Sequence, residues 1–206
     1  MKDPYNVVIT GVGGQGNVLA SLLVGAVLVD KGYKVTIGET YGASQRGGSV
    51  MSHVRISRAR QYGPLIPPGL ADLVIALEPA EAARVLAQYG SEETVCVVNT
   101  RPVHPVDVIS GNMEYPSLDA LFQRIERLSQ TAYMVGATEK ALELGNPILS
   151  NIILIGAVCG LGLFPINTDD IEKAVRTYLS PDRVEMNRMA FLAGKQLAAG
   201  LNHCQN

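Results

Sequence analysis

The glycine run Gly11-Val12-Gly13-Gly14-Gln15-Gly16 stands directly after the apolar run Val7-Val8-Ile9 and directly before a pattern of helical period. A buried strand, a glycine turn and a helix in that order open an α/β sheet. Asn6 to Thr10 reads as a strand buried on both faces, from its β-branched run. From about Gln15 to Lys31, the residues Val18, Leu19, Leu22, Leu23, Ala26 and Val27 recur at helical spacing, and Gly32 supplies a stop. Lys34 to Ile37 begins the next strand. The first 38 residues are therefore expected to form one β-α-β unit with a right-handed crossover.

The alternation continues. Met51 to Ile56, Asp72 to Leu77, Thr94 to Val98 and Ala132 to Val135 read as strands. Pro79 opens a helix, and another is expected around Leu118 to Leu128. The segment Gly63-Pro64-Leu65-Ile66-Pro67-Pro68-Gly69 is a proline-punctuated loop. From Thr138 onward the pattern is almost wholly helical: a long apolar helix from Asn146-Pro147, one capped by Thr168-Asp169-Asp170, and a last one from Ser180-Pro181 toward Gly200. The expected fold is a Rossmann-like, mostly parallel open sheet with a helical C-terminal third packed on it. A single domain spans 1–206, with the polar tail Asn202 to Asn206 frayed.

Composition narrows the partners. Charged residues make up 17% of the chain, against about 25% in typical soluble domains, which favours a large surface buried against another protein. A net charge of −2 argues against nucleic acid, which needs a basic face. The apolar stretch Ile148 to Leu163 has 16 residues, short of the roughly 20 needed to cross a bilayer, and reads as a buried helix. Cys96, Cys159 and Cys204 are scattered without a C-x-x-C pair, so neither a zinc site nor an iron–sulfur site is read from them. Cys96 and Cys159 are expected to be buried thiols. The N-terminal Met1-Lys2-Asp3-Pro4-Tyr5 lacks a signal-peptide apolar region, and a cytoplasmic location is expected.

Gly11, Gly13 and Gly16 fit G-x-G-x-x-G between a strand and a helix, where backbone can approach a pyrophosphate and the helix start faces the anion. Gly14 belongs to the same turn, and Gln15 could donate from its amide. Glu39 follows Gly16 by 23 residues, near where a ribose-binding acid falls. The same glycines also suit a compact turn that binds nothing. His53, His104 and His203 assemble no catalytic constellation, and His53 in a strand reads as structural. No catalytic residue and no metal ligand is assigned.

A second loop, Tyr41-Gly42-Ala43-Ser44-Gln45-Arg46-Gly47-Gly48-Ser49, presents Arg46 between small residues. Its guanidinium could clamp a carboxylate or phosphate, or fix the loop through a carbonyl. Gly11 to Gly16, Gln45-Arg46-Gly47-Gly48-Ser49-Val50 and Ser52-His53-Val54-Arg55 together resemble the gamma-type module of the 2-oxoacid:ferredoxin oxidoreductases. Pro64-Leu65-Ile66-Pro67, Asn99-Thr100-Arg101-Pro102 and Glu143-Leu144-Gly145-Asn146-Pro147 look like the small (beta) subunit of the indolepyruvate branch.

The resemblance implies a subunit of an enzyme that oxidatively decarboxylates a 2-oxoacid with coenzyme A (CoA) to an acyl-CoA, passing electrons to ferredoxin. It implies that this chain binds no cofactor tightly. Thiamine diphosphate, magnesium and [4Fe–4S] clusters would then sit on a larger partner subunit, with CoA as cosubstrate. The glycine loop could take the CoA pyrophosphate, and Arg46 a phosphate or the 2-oxoacid carboxylate. Two other readings stay open: a stand-alone NAD(P)-binding oxidoreductase using Glu39, and a structural subunit whose glycine loop is empty.

Overall fold

A computed structural model describes residues 2–42 and 48–202 of the chain. Arg46 and its neighbours Ser44 and Gln45, with His203 and Cys204, lie outside the described residues. The strands are β1 (Tyr5–Val12), β2 (Lys34–Tyr41), β3 (Ser49–Ser57), β4 (Leu73–Ala76), β5 (Val95–Asn99) and β6 (Thr131–Val135). The helices are α1 (Asn17–Asp30), α2 (Pro79–Tyr89), α3 (Val106–Ile109), α4 (Leu118–Arg127), α5 (Ala137–Glu143), α6 (Ser150–Gly160), α7 (Thr168–Tyr178) and α8 (Val184–Asn202).

The six strands form one sheet in the order β2-β3-β1-β4-β5-β6. β1, β4, β5 and β6 are parallel neighbours, while β3 runs antiparallel to both β1 and β2. The expected open α/β sheet is present, with one difference. β1, α1 and β2 follow in sequence, but β3 lies between the two strands, pairing with β1 from Tyr5↔Ile56 to Val12↔Ser49. Burial explains the exchange. β3 is buried along nearly its whole length and needs a neighbour on each side, whereas β2 is only half-buried and carries polar residues. The half-buried strand takes the exposed edge.

Two apolar layers cover the sheet. On one face, Val7, Ile9, Val54 and Ile75 pack against α1 and the C-terminal helices. On the other, Val8, Val74, Cys96 and Val98 pack against α2 and α4. α6 is apolar on all sides and buried from Ile152 through Val158. The apolar helix expected from Pro147 begins instead as a 3-10 turn, Pro147–Leu149, because the Asn146 side chain accepts from the Ile148 N–H at 3.2 Å and tightens the chain there. α7 is capped one residue earlier than its Thr168-Asp169-Asp170 run suggests. Asn167 and Asp170 exchange side-chain and backbone hydrogen bonds in a capping box. α3 and the 3-10 turns Pro147–Leu149 and Pro181–Arg183 are too short to leave a periodic signal in sequence. Among the described residues, no helix is long and apolar enough to cross a membrane.

Candidate anion-binding cleft

The parallel strands end on the same side of the sheet as the glycine loop, which is where ligands enter open α/β sheets. A cleft of about 280 Å³ opens there, lined by Gly14, Gln15, Arg101, Thr138, Ile148 and Ser150 among others. Its walls come from the β1–α1 turn, the segment after β5, the start of α5 and the entry to α6. Residues far apart in sequence meet because each follows a strand or opens a helix at this edge.

The loop residues divide the work. Gly11 is buried and carries no side chain because a Cβ there would sit 2.6 Å from Gln15 Oε1 and 2.9 Å from Leu77 Cβ. The Gly13 N–H donates to the Gly48 carbonyl at 2.8 Å, which ties this turn to the edge of the second loop. Gly14 has φ +103°, is exposed and has open space before it. Gly16, at φ +82°, lies against Asn151, whose side-chain amide donates to the Gly16 carbonyl at 3.2 Å. Of the five loop residues singled out in sequence, only Gly14 and Gln15 reach the cleft.

Gln15 is mainly a brace. Its Oε1 accepts from the Val12 N–H at 2.7 Å and its Nε2 donates to the Leu77 carbonyl at 3.0 Å. The same carbonyl accepts from Asn99 Nδ2 at 3.1 Å. Asn99 in turn donates to Thr138 Oγ1 at 2.9 Å and accepts from the Thr138 N–H at 3.1 Å. This buried network locks the ends of β1, β4 and β5 to the start of α5. The cleft floor is thereby cross-linked by hydrogen bonds.

What remains available for a ligand is cationic and donor-rich. α1 follows the N-cap Gly16, which provides no side-chain cap, so the positive end of its dipole points toward the turn that carries Gly14 and Gln15. Arg101 is half-exposed in the cleft, held only loosely by Glu139 at 3.9 Å. Thr138 and Ser150 add hydroxyls. The arrangement suits an oxyanion such as a phosphate or pyrophosphate.

Glu78 lies beneath the same edge and was not foreseen. It is 1% exposed, caps α2 through the Glu81 N–H at 2.8 Å, and accepts from the Tyr115 hydroxyl and from the Val103 N–H at 3.5 Å. Burial raises its pKa, and that outweighs the opposing effect of the Tyr115 and backbone hydrogen bonds. Since Val103 lines the cleft two residues from Arg101, Glu78 anchors the wall that presents the guanidinium. An acid directly before a helix-opening proline, after an apolar strand, is the sequence signal for it.

Glu39 is displaced from the role its spacing suggested. It lies on β2, two strands from β1, and its carboxylate accepts from the Tyr41 hydroxyl. The insertion of β3 removes it from the position of a ribose acceptor. His53 is fully buried, its Nδ1 accepting from the Ile66 N–H at 3.3 Å and its ring edge-on to Tyr89, as a structural histidine would be. Cys96 is buried as expected, with its thiol pushed up to about 12 by burial, whereas Cys159, in the last turn of α6, is only partly buried. The two cysteines lie on opposite faces of the sheet and do not fit a shared cluster.

Residues 6–197 match the family model "Pyruvate ferredoxin/flavodoxin oxidoreductase". The chain is 39% identical to the indolepyruvate oxidoreductase subunit IorB of Thermococcus kodakarensis over 96% of this chain and 97% of that one. Among solved structures, it resembles the gamma subunit of a keto/oxoacid ferredoxin oxidoreductase from Geobacter sulfurreducens, with a TM-score of 0.66, 25% identity, and coverage of 95% and 99% of the two chains. A 2-oxoglutarate:ferredoxin oxidoreductase from Magnetococcus marinus, solved with 2-oxoglutarate, coenzyme A and succinyl-CoA, shares the fold at a TM-score of 0.74 and 21% identity. That match covers 98% of this chain but 32% of the larger one.

Proposed function

Because the chain belongs to the pyruvate ferredoxin/flavodoxin oxidoreductase family, as a subunit of a 2-oxoacid:ferredoxin oxidoreductase, we propose that it is the small, non-redox subunit of an arylpyruvate-type enzyme. The enzyme would oxidatively decarboxylate an indolepyruvate-like 2-oxoacid with CoA to the acyl-CoA and reduce ferredoxin, in the cytoplasm. The observation that carries this reading is the similarity to indolepyruvate oxidoreductase subunits across nearly the whole of both chains.

Thiamine diphosphate, magnesium and the [4Fe–4S] clusters would reside on the larger partner subunit, and the separated Cys96 and Cys159 accord with that division. CoA is the ligand proposed for the cleft. Gly14 and the uncapped start of α1 would receive its pyrophosphate, Arg101 would neutralise it, and Gly11, Gly13, Gln15 and Gly16 would hold the turn in shape. Arg46 keeps its proposed role toward phosphate or carboxylate. The partner would cover the apolar rim beside the cleft, where Ile148, Met186 and Met189 are each 41–46% exposed.

Calorimetric titration of the purified chain and of the co-expressed complex with CoA, NADH and NADPH tests the ligand. CoA binding that weakens by about tenfold or more in Arg101→Ala is expected. Binding of a nicotinamide nucleotide instead would overturn the assignment, and binding of none by the complex would leave a purely structural subunit.

A further inference from the structure

The end of the sheet opposite the cleft carries a cationic cluster that the proposed reaction does not use. β3 runs antiparallel to β1, so its end emerges at the strand starts, far from the glycine loop. There Arg55, Arg58 and Arg60 follow one another within six residues, with Lys34 from β2 beside them. Among the described residues, no ion pair joins any of these four to a carboxylate. Asp3 is the acid at hand: it accepts from the Arg58 N–H at 3.1 Å and attracts Arg60 without pairing with it. Nearby Lys2 pairs with both Asp72 and Glu93, so this trio keeps one negative charge against the four cationic side chains.

The arginines are held in place by aromatic rings. The Arg58 guanidinium lies 4.7 Å from the Tyr33 ring centre and donates to the Tyr33 hydroxyl at 2.9 Å. Tyr62 is flanked by two guanidinium groups, Arg55 at 4.9 Å and Arg60 at 4.8 Å. Arg55 is fixed further by the carbonyls of Gly63 and Leu65 at 3.1 and 3.2 Å. Charges stacked on rings lose little freedom when they meet a partner. A shallow hollow is lined by Arg55, Arg60 and Tyr62 together with the Lys2, Asp72 and Glu93 trio, and Leu65 in the proline loop and Leu70 just after it are 57% and 55% exposed.

We infer that this end of the sheet docks an acidic protein face, whose carboxylates engage Arg58 and Arg60 while its apolar residues cover Leu65 and Leu70. Arginine and tyrosine are the residue types that concentrate binding energy at protein interfaces, and the exposed leucines add apolar area that a nucleic-acid backbone would not cover. A locally positive surface on a chain of net charge −2 points to a specific partner rather than to general attraction.

Fluorescence anisotropy of a labelled poly-L-glutamate peptide, with a labelled DNA duplex as the second probe, tests the inference on the full chain. The peptide is expected to bind, to weaken with added salt, and to lose about tenfold in affinity with Arg58→Glu plus Arg60→Glu. Arg124→Glu plus Arg127→Glu on α4 makes the same change in net charge elsewhere and should leave binding unchanged. Circular dichroism confirms that both double variants are folded. No peptide binding, equal loss in the two variants, or tighter binding of the duplex would each overturn the proposal.

Discussion

At the scale of single residues, Arg101 and His53 carry the clearest consequences. Arg101 offers the cleft a guanidinium that Glu139 only approaches at 3.9 Å, so its charge is free for a ligand. A charge-assisted hydrogen bond contributes about 1.5–3 kcal/mol. Arg101→Ala should therefore weaken CoA binding by about tenfold or more with an unchanged unfolding midpoint, read by calorimetry and urea titration. Burial lowers the His53 pKa, with Arg55 adding to the effect, so the folded state holds the ring neutral while the unfolded chain protonates it near pH 6.5. The stability this contributes is complete above that pH and lost as pH falls below it. His53→Phe should be less stable than the native chain at pH 7.5, because the Ile66 N–H loses its acceptor. The difference should narrow toward pH 5 in thermal melts; a constant gap would remove His53 from the pH response.

Secondary elements show how much the sequence conveys and where it stops. Strands and long helices were legible because β1 is wholly buried around the apolar run Val7-Val8-Ile9 and because α1, α2 and α4 repeat their buried positions at helical spacing. The place of β3 was not legible, since strand order is set by which edges need cover and leaves no local pattern. The cleft was half legible. The glycine turn announced itself, while Arg101, Thr138 and Ser150 converge only through long-range packing. The Gln15 amide looked like a ligand donor, but its partners, Val12 and Leu77, are fixed by the same packing. The Asn167 cap of α7 is open to direct test. Asn167→Ala removes one half of a capping box and should cost about 1 kcal/mol in denaturant unfolding. Thr168→Ala should cost much less.

On the scale of the whole molecule, the described structure has the cleft at one end of the sheet and the arginine cluster at the other. The rim formed by Ile148, Met186 and Met189 adjoins the cleft through Ile148, which lines both the cleft and the neighbouring groove. A partner covering that rim would also close the cleft from water, so assembly and CoA binding should be coupled. Met186→Glu plus Met189→Glu places two charges on this rim and should abolish co-purification with the larger subunit while leaving the isolated chain folded. The division of labour itself is tested most directly by reconstitution. The chain, the larger subunit and their mixture would each be assayed for viologen reduction with indolepyruvate and CoA. Activity only in the mixture, lowered by Arg101→Ala, is the predicted result. Turnover by this chain alone, or full turnover by the larger subunit without it, would contradict the account.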